Sequence, residues 1–72
     1  MKDKRVFFFE NMQALEFSLY YMKHWNMIEE AEHLYYIMVT TLMGAFANDV
    51  ITKHEYLIFD NYLEDLHNEL FK

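Results

Sequence analysis

The stretch "NDVITKHEYLIF", residues 48–59, decides how the chain is divided into helices. Asn48 and Asp49 favour a turn, and Thr52 is followed three residues later by Glu55, which is the spacing of a capping box. In a capping box the Thr52 hydroxyl accepts the backbone N–H of Glu55, and the Glu55 carboxylate accepts the backbone N–H of Thr52. The stretch therefore predicts a corner, with Asn48 as the left-handed stop of one helix and Thr52 as the start of the next.

The rest of the chain has the pattern of an all-α protein. It contains no proline and a single glycine, so few positions interrupt a helix. Apolar residues recur at three- and four-residue spacing on both sides of the corner, which is the helical period. The pattern predicts one helical domain over residues 1–72, built from antiparallel helices at about 4–25, 27–47 and 52–71.

The junction between the first two of these helices is expected near residue 26. Asn26 has the chemistry of an N-cap, and Glu29 would then occupy the third helical position. The alternative is one continuous helix of more than roughly forty residues that includes Asn26, because no residue near it forbids helix.

Composition and charge exclude several classes of function. The chain has 12 acidic and 6 basic residues, a net charge of −6 that repels a phosphate backbone, so we expect no direct binding of nucleic acid. The absence of cysteine excludes disulfides, thiolate metal ligands and thiol nucleophiles. The longest uncharged run, residues 34–48, is shorter than the roughly 20 residues that span a bilayer, and the N-terminal apolar run is too short for a signal peptide. These features predict a cytoplasmic protein without a membrane segment.

Two loop motifs fit the corner in outline and fail on chemistry. A helix-turn-helix over residues 41–59 would present His54 and Glu55, and then Asp60, to the DNA polyanion. A calcium loop needs oxygen ligands at alternate positions, and Val50 ends that series at once. We therefore interpret the corner as structural.

Two Glu-x-x-His motifs raise the alternative of a metal site. Glu30 and His33 lie on the second predicted helix, and Glu64 and His67 on the third. Di-iron carboxylate bundles use two such pairs with two further glutamates, all projecting inward. At 100° per residue, His33 and Glu64 point away from the apolar stripes of their helices. Solvated helix faces are therefore the preferred interpretation, and no cofactor is predicted.

Nothing in the sequence indicates an enzyme. Ser18 is the only serine, and no histidine or acid stands at a local spacing that would activate it. A phosphate-binding loop needs several glycines, and Gly44 is the only one. We therefore expect a binding function.

Apolar side chains outside the core stripes predict a protein interface. A helix that is apolar on nearly all sides is buried on more than one side. A chain of 72 residues buries only about 60% of its surface alone, so the second burial is expected to come from another subunit or protein. The alternative is that these are single exposed apolar residues, which are ordinary on a surface. The predicted interface residues are Phe9, Phe17, Tyr20, Tyr36, Val39 and Met43.

The segment "NDVITKHEYLIFDNYLEDL", residues 48–66, resembles the signature "turn, Ile-Thr-x-x-Glu-Tyr/Phe, helix" of short C-terminal oligomerisation domains in bacterial proteins. It lacks the glycine that precedes the Ile-Thr pair in those domains and the lysines of their helix. The shared part is mostly the capping box, so the sequence assigns the chain to no family.

Taken together, the sequence predicts a small acidic homodimer that binds another protein as a regulator, inhibitor or adaptor. The alternatives are a metal-binding helical bundle and a nucleic-acid mimic, whose carboxylates would stand in for phosphates. The abundance of Asn, Lys, Ile, Tyr and Phe is typical of proteins from low-GC bacteria and their phages.

Overall fold

Two corners divide the chain into three helices in the computed structural model, which describes residues 3–72. The helices are α1 (Lys4–His24), α2 (Ile28–Ala47) and α3 (Lys53–Phe71). No strand occurs among residues 3–72. The prediction of an all-α, three-helix chain is confirmed, with each boundary within about one residue of its expected place. The alternative of one continuous helix through residue 26 is wrong.

The first corner ends α1 in a Schellman motif centred on Asn26. Its φ of 58° is left-handed, its N–H donates to the Lys23 carbonyl at 3.1 Å, and the Met27 N–H donates to the Met22 carbonyl at 2.8 Å. These bonds satisfy carbonyls that the end of a helix leaves without partners. The prediction of Asn26 as the N-cap of α2 is wrong, because an N-cap adopts an extended backbone. Within residues 3–72, Met27 occupies that position and makes no side-chain capping bond.

The second corner repeats this motif, with Asp49 as the left-handed residue at φ 58°. The Val50 N–H donates to the Ala45 carbonyl at 2.9 Å and closes the motif. The prediction that Asn48 is the left-handed stop is wrong by one residue, since Asn48 has a φ of −97°. Its side-chain amide instead donates to the Gly44 carbonyl at 2.7 Å. Both Asn48 and Asp49 therefore help to end α2.

The capping box at the start of α3 is confirmed. The Thr52 hydroxyl accepts the Glu55 N–H at 3.2 Å, and the Glu55 carboxylate accepts the Thr52 N–H at 3.0 Å. Ile51, directly before the box, is buried in the core. The turn thus anchors the chain by one apolar side chain and by two hydrogen bonds that satisfy free N–H groups.

The core lies along one face of α2, against which both α1 and α3 pack. α1 and α3 meet each other chiefly through large side chains, such as the rings of Phe9 and Phe59, which stack at 5.6 Å. The buried residues are Phe8, Met12 and Leu19 of α1, Ala31, Leu34, Met38, Leu42 and Ala45 of α2, Ile51 of the corner, and Leu63 and Leu66 of α3.

The resulting molecule is thin. It measures 36 × 25 × 14 Å, and 14 Å corresponds to about two layers of helices. Its radius of gyration is 12.5 Å, where a compact chain of this length would have about 11 Å. Its accessible surface is 5373 Å², compared with about 4,800 Å² for a typical monomer of 8.9 kDa. The fold therefore exposes more surface than its size requires.

Thr52→Ala should lower the free energy of unfolding by about 1 kcal/mol, because the Glu55 N–H then loses its side-chain acceptor. Chemical denaturation followed by circular dichroism, at one fixed protein concentration, measures the change. Ser18→Ala is the control, since Ser18 is exposed within α1 and alanine there should be neutral or add up to about 0.5 kcal/mol. Equal stabilities for the two variants would contradict the capping role of Thr52.

The same Asp→Gly substitution should have opposite effects at two positions. At Asp49 glycine relieves the left-handed backbone and should stabilise the fold by up to about 1 kcal/mol. At Asp60, exposed within α3, it should destabilise the fold by about 0.3–0.5 kcal/mol, because glycine is a poorer helix former. Both changes remove one negative charge, so denaturation curves of the two variants isolate the backbone effect. A loss of stability at Asp49 would contradict its assignment to the Schellman motif.

Candidate functional site

A groove runs between α1 and α3, with α2 beneath it. We call it the α1–α3 groove. It has a volume of about 300 Å³, its floor includes the buried Met38 of α2, and Glu16 is the one charged residue among those that line it. Most of its lining is apolar, so it resembles a ligand or partner site in its chemistry. The lining residues are Phe9, Met12, Gln13, Glu16, Met38, Ile58, Phe59 and Tyr62.

At one end of the groove the charges are paired. Arg5 Nη1 donates to Glu55 Oε1 at 2.8 Å, and Arg5 Nη2 makes a second contact with the other carboxylate oxygen. The Arg5 guanidinium also lies 5.4 Å from the centre of the Phe9 ring, in the range of a cation–π contact. The hydrogen bond that the Thr52 backbone N–H donates to the Glu55 carboxylate holds the pKa of Glu55 below its ordinary value of 4.5, and the positive charge of Arg5 contributes less to this shift. This end joins the first turns of α1 and α3.

At the other end of the groove the acids outnumber the bases. The Tyr62 hydroxyl donates to Glu16 Oε1 across the groove. Burial, followed by this hydrogen bond, raises the pKa of Tyr62. Burial also raises the pKa of Tyr20, with further contributions from the nearby carboxylates of Glu69 and Glu16. Two carboxylates therefore act on two phenols where α1 and α3 come together, which makes this end negative.

A second exposed surface lies on α2, on the side that faces away from the core. Tyr36, Thr40, Met43 and Ala47 are exposed and follow one another at four-, three- and four-residue spacing, which places them on one face. We call this face the α2 outer stripe. Tyr36 is 63% exposed and Met43 is 53% exposed. No charged residue occurs anywhere in residues 34–47, so the stripe is uncharged as well as exposed.

The structure places the six predicted interface residues in three different settings. Tyr36 and Met43 belong to the α2 outer stripe. Phe17, which is 76% exposed, and Tyr20 lie on α1 beside the α1–α3 groove, in a shallow depression that includes Glu16.

Phe9 and Val39 are half-buried and pack against the core, so their predicted place outside the core is wrong. Phe9 is held by its stack on Phe59, yet its ring still lines the groove. Ile58 and Tyr62 of α3 were missed by the sequence analysis, although both are exposed and line the groove. The sequence feature that could have identified Ile58 is its apolar side chain on the more polar side of α3, beside the core-packed Phe59.

The four metal candidates are not brought together. The His67 ring lies 4.7 Å from that of Tyr35 and packs among aromatic side chains, while Glu30, His33 and Glu64 are exposed. Across residues 3–72, no group of three or more His, Asp or Glu side chains lies close enough to hold a metal ion.

Comparisons with protein-family models, with curated proteins and with solved structures found no match to this chain. None of the helices among residues 3–72 is sufficiently long and apolar to cross a membrane. The function is therefore inferred from the geometry and charge of the α1–α3 groove and the α2 outer stripe.

Glu55→Gln should be less stable than the wild type at pH 7, because glutamine keeps the capping bond and loses the Arg5 charge pair. The folded-state pKa of Glu55 lies below 4.5, so the contribution of its carboxylate is complete above pH 4.5 and is lost as the pH falls through the folded pKa. Thermal unfolding of both proteins from pH 7 to pH 3 should show the difference in stability shrinking below pH 4.5. A difference that is constant over this range would contradict the stabilising role of the ionised carboxylate.

Proposed function

We propose that this chain acts by binding another protein, as a small acidic regulator, inhibitor or adaptor, and that it does so as a homodimer. The observation that carries the proposal is that one thin chain exposes two apolar surfaces on opposite sides. The α1–α3 groove opens between α1 and α3, whereas the α2 outer stripe faces away from both. Apolar surface of this kind marks sites of association in proteins. The proposal gives the chain no catalytic role.

The α2 outer stripe is the surface best suited to a second copy of the chain. Each copy carries a net charge of −6, so two copies repel one another wherever their acids meet. Residues 34–47 contain no charge, and contact between two such segments avoids that repulsion. Tyr36 and Met43 supply large apolar groups to bury there, and the small Thr40 between them lets two helices come close.

The amount of exposed surface supports an association of this size. The chain exposes 5373 Å² compared with about 4,800 Å² for a typical monomer of its mass, an excess of roughly 600 Å². A standard interface buries about 800 Å² per partner. Covering one face would therefore bring the exposed surface down to, or below, that of a typical monomer. The second surface, the α1–α3 groove, is then left for a different protein.

Met43→Glu should convert the proposed dimer to a monomer, because it places two negative charges in a surface otherwise free of them. Analytical ultracentrifugation at micromolar concentration should give twice 8.9 kDa for the wild type and 8.9 kDa for this variant. Ile58→Glu is the matched control, because it introduces the same negative charge in the α1–α3 groove. Ile58 lies on α3 and is 55% exposed. This control variant should remain dimeric, and circular dichroism checks that both variants stay helical.

A monomeric wild-type protein at these concentrations would contradict the homodimer. Dissociation by Ile58→Glu, with Met43→Glu still dimeric, would instead show that the dimer contact lies in the α1–α3 groove and not on the α2 outer stripe.

A further inference from the structure

We infer that the α1–α3 groove binds an amphipathic helix of another protein, one with an apolar face flanked by lysine or arginine. This inference rests on the proposed function and deepens it by naming the chemistry of the partner.

The shape of the groove matches a helix. Two helices side by side with a filled floor leave a trough into which a third helix can lay its apolar face, a common mode of peptide recognition. Polar contacts between α1 and α3 run from the Arg5–Glu55 pair to the hydrogen bond between Tyr62 and Glu16. That stretch of α1 covers about 17 Å, or three helical turns, at 1.5 Å per residue. Within this length, apolar residues of a partner at three- and four-residue spacing would contact Ile58 and Phe59, which line the groove.

The charge along the groove selects a basic partner. Arg5 already pairs with Glu55, so that end offers little attraction to charge. At the other end Glu16 and Glu69 lie near the Tyr20 hydroxyl. Asp65, which is exposed on α3, precedes Glu69 by one helical turn. The bases nearest to these three acids along the chain are Lys23, three residues after Tyr20, and Lys72, three residues after Glu69, so the acids outnumber the bases. Lysine or arginine beside the apolar face of a partner would complement this end and speed association.

A second copy of the chain does not fit the groove for the same reason. Two copies meeting at this face would bring Glu16 and Glu69 of one close to the acidic groove of the other, and like charges at an interface are costly. The uncharged α2 outer stripe offers the second copy a contact without that cost. The charge of each surface thus favours a different partner: a basic helix in the α1–α3 groove and a second copy of the chain on the α2 outer stripe.

Three synthetic 18-residue helical peptides test the inference. The first carries leucines at helical three- and four-residue spacing with flanking lysines, the second replaces every lysine by glutamate, and the third keeps the composition of the first in an order that breaks the spacing. Fluorescence anisotropy of labelled peptides measures binding to the full chain. We expect the first peptide to bind at least about tenfold more tightly than the other two, and to weaken as salt screens the charges.

Two double variants separate the groove from the general negative charge of the protein. Glu16→Gln with Glu69→Gln removes the charge that lines the groove and a second charge near Tyr20, whereas Asp60→Asn with Glu64→Gln removes two charges from the side of α3 near Tyr35. Glutamine at position 16 keeps an acceptor for the Tyr62 hydroxyl, so the fold is preserved. We expect about fivefold weaker binding of the basic peptide to the first variant, and less than about twofold to the second.

Several outcomes would overturn the inference. These are binding of the acidic peptide as tight as that of the basic one, equal losses in the two double variants, and no binding of any peptide. None of them tests the proposed function itself, which a photocrosslinking amino acid at Ile58 examines in cells of the source organism. Crosslinking to an acidic or non-helical segment of another protein would overturn the helix inference and leave the proposed function standing. Crosslinking to no other protein would contradict both.

Discussion

The packing of α1 and α3 on a single face of α2 is the constraint on which the rest of the structure depends. α2 supplies the centre of the core with Leu34, Met38 and Leu42, and its small residues Ala31 and Ala45 let the neighbouring helices approach. Because one face serves two helices, α1 and α3 spread apart above it and the molecule stays about two helices thick. The groove, the exposed outer face of α2 and the large accessible surface all follow from this arrangement.

The corners show which local features the sequence predicts well. The capping box at Thr52 and Glu55 was predictable because its two hydrogen bonds join groups only three residues apart. The left-handed positions were misplaced, since asparagine and aspartate suit both an N-cap and a left-handed stop. The choice at Asn26 and Asp49 is made by carbonyls of the preceding helix, which accept the N–H groups of the turn. The sequence pattern does not show where those carbonyls will lie.

The candidate surfaces also combine features that depend on one helix and features that depend on residues far apart in the sequence. The exposure of Phe17, Tyr36 and Met43 follows from helical periodicity alone, which needs only neighbours on the same helix. The partial burial of Phe9 depends on Phe59, fifty residues away, and could not be predicted from α1 by itself. The same holds for the groove, which exists only once α1 and α3 share α2. The Glu-x-x-His motifs do not come together within one copy of the chain, because spacing within a helix does not determine where two helices face each other.

The contact between Arg5 and Glu55 also has a consequence for the order in which the chain folds. It joins residues 50 positions apart, whereas the Phe46 and Tyr56 rings, stacked at 4.8 Å, are joined by a short turn. Closing a long loop costs more conformational entropy than closing a short one, so the α2–α3 corner can form before α1 is fixed at its far end. On a ribosome, α1 and α2 emerge first and remain without their third helix until residues 53–71 have been made. During that interval the apolar side of α2 that α3 later covers is open to other chains.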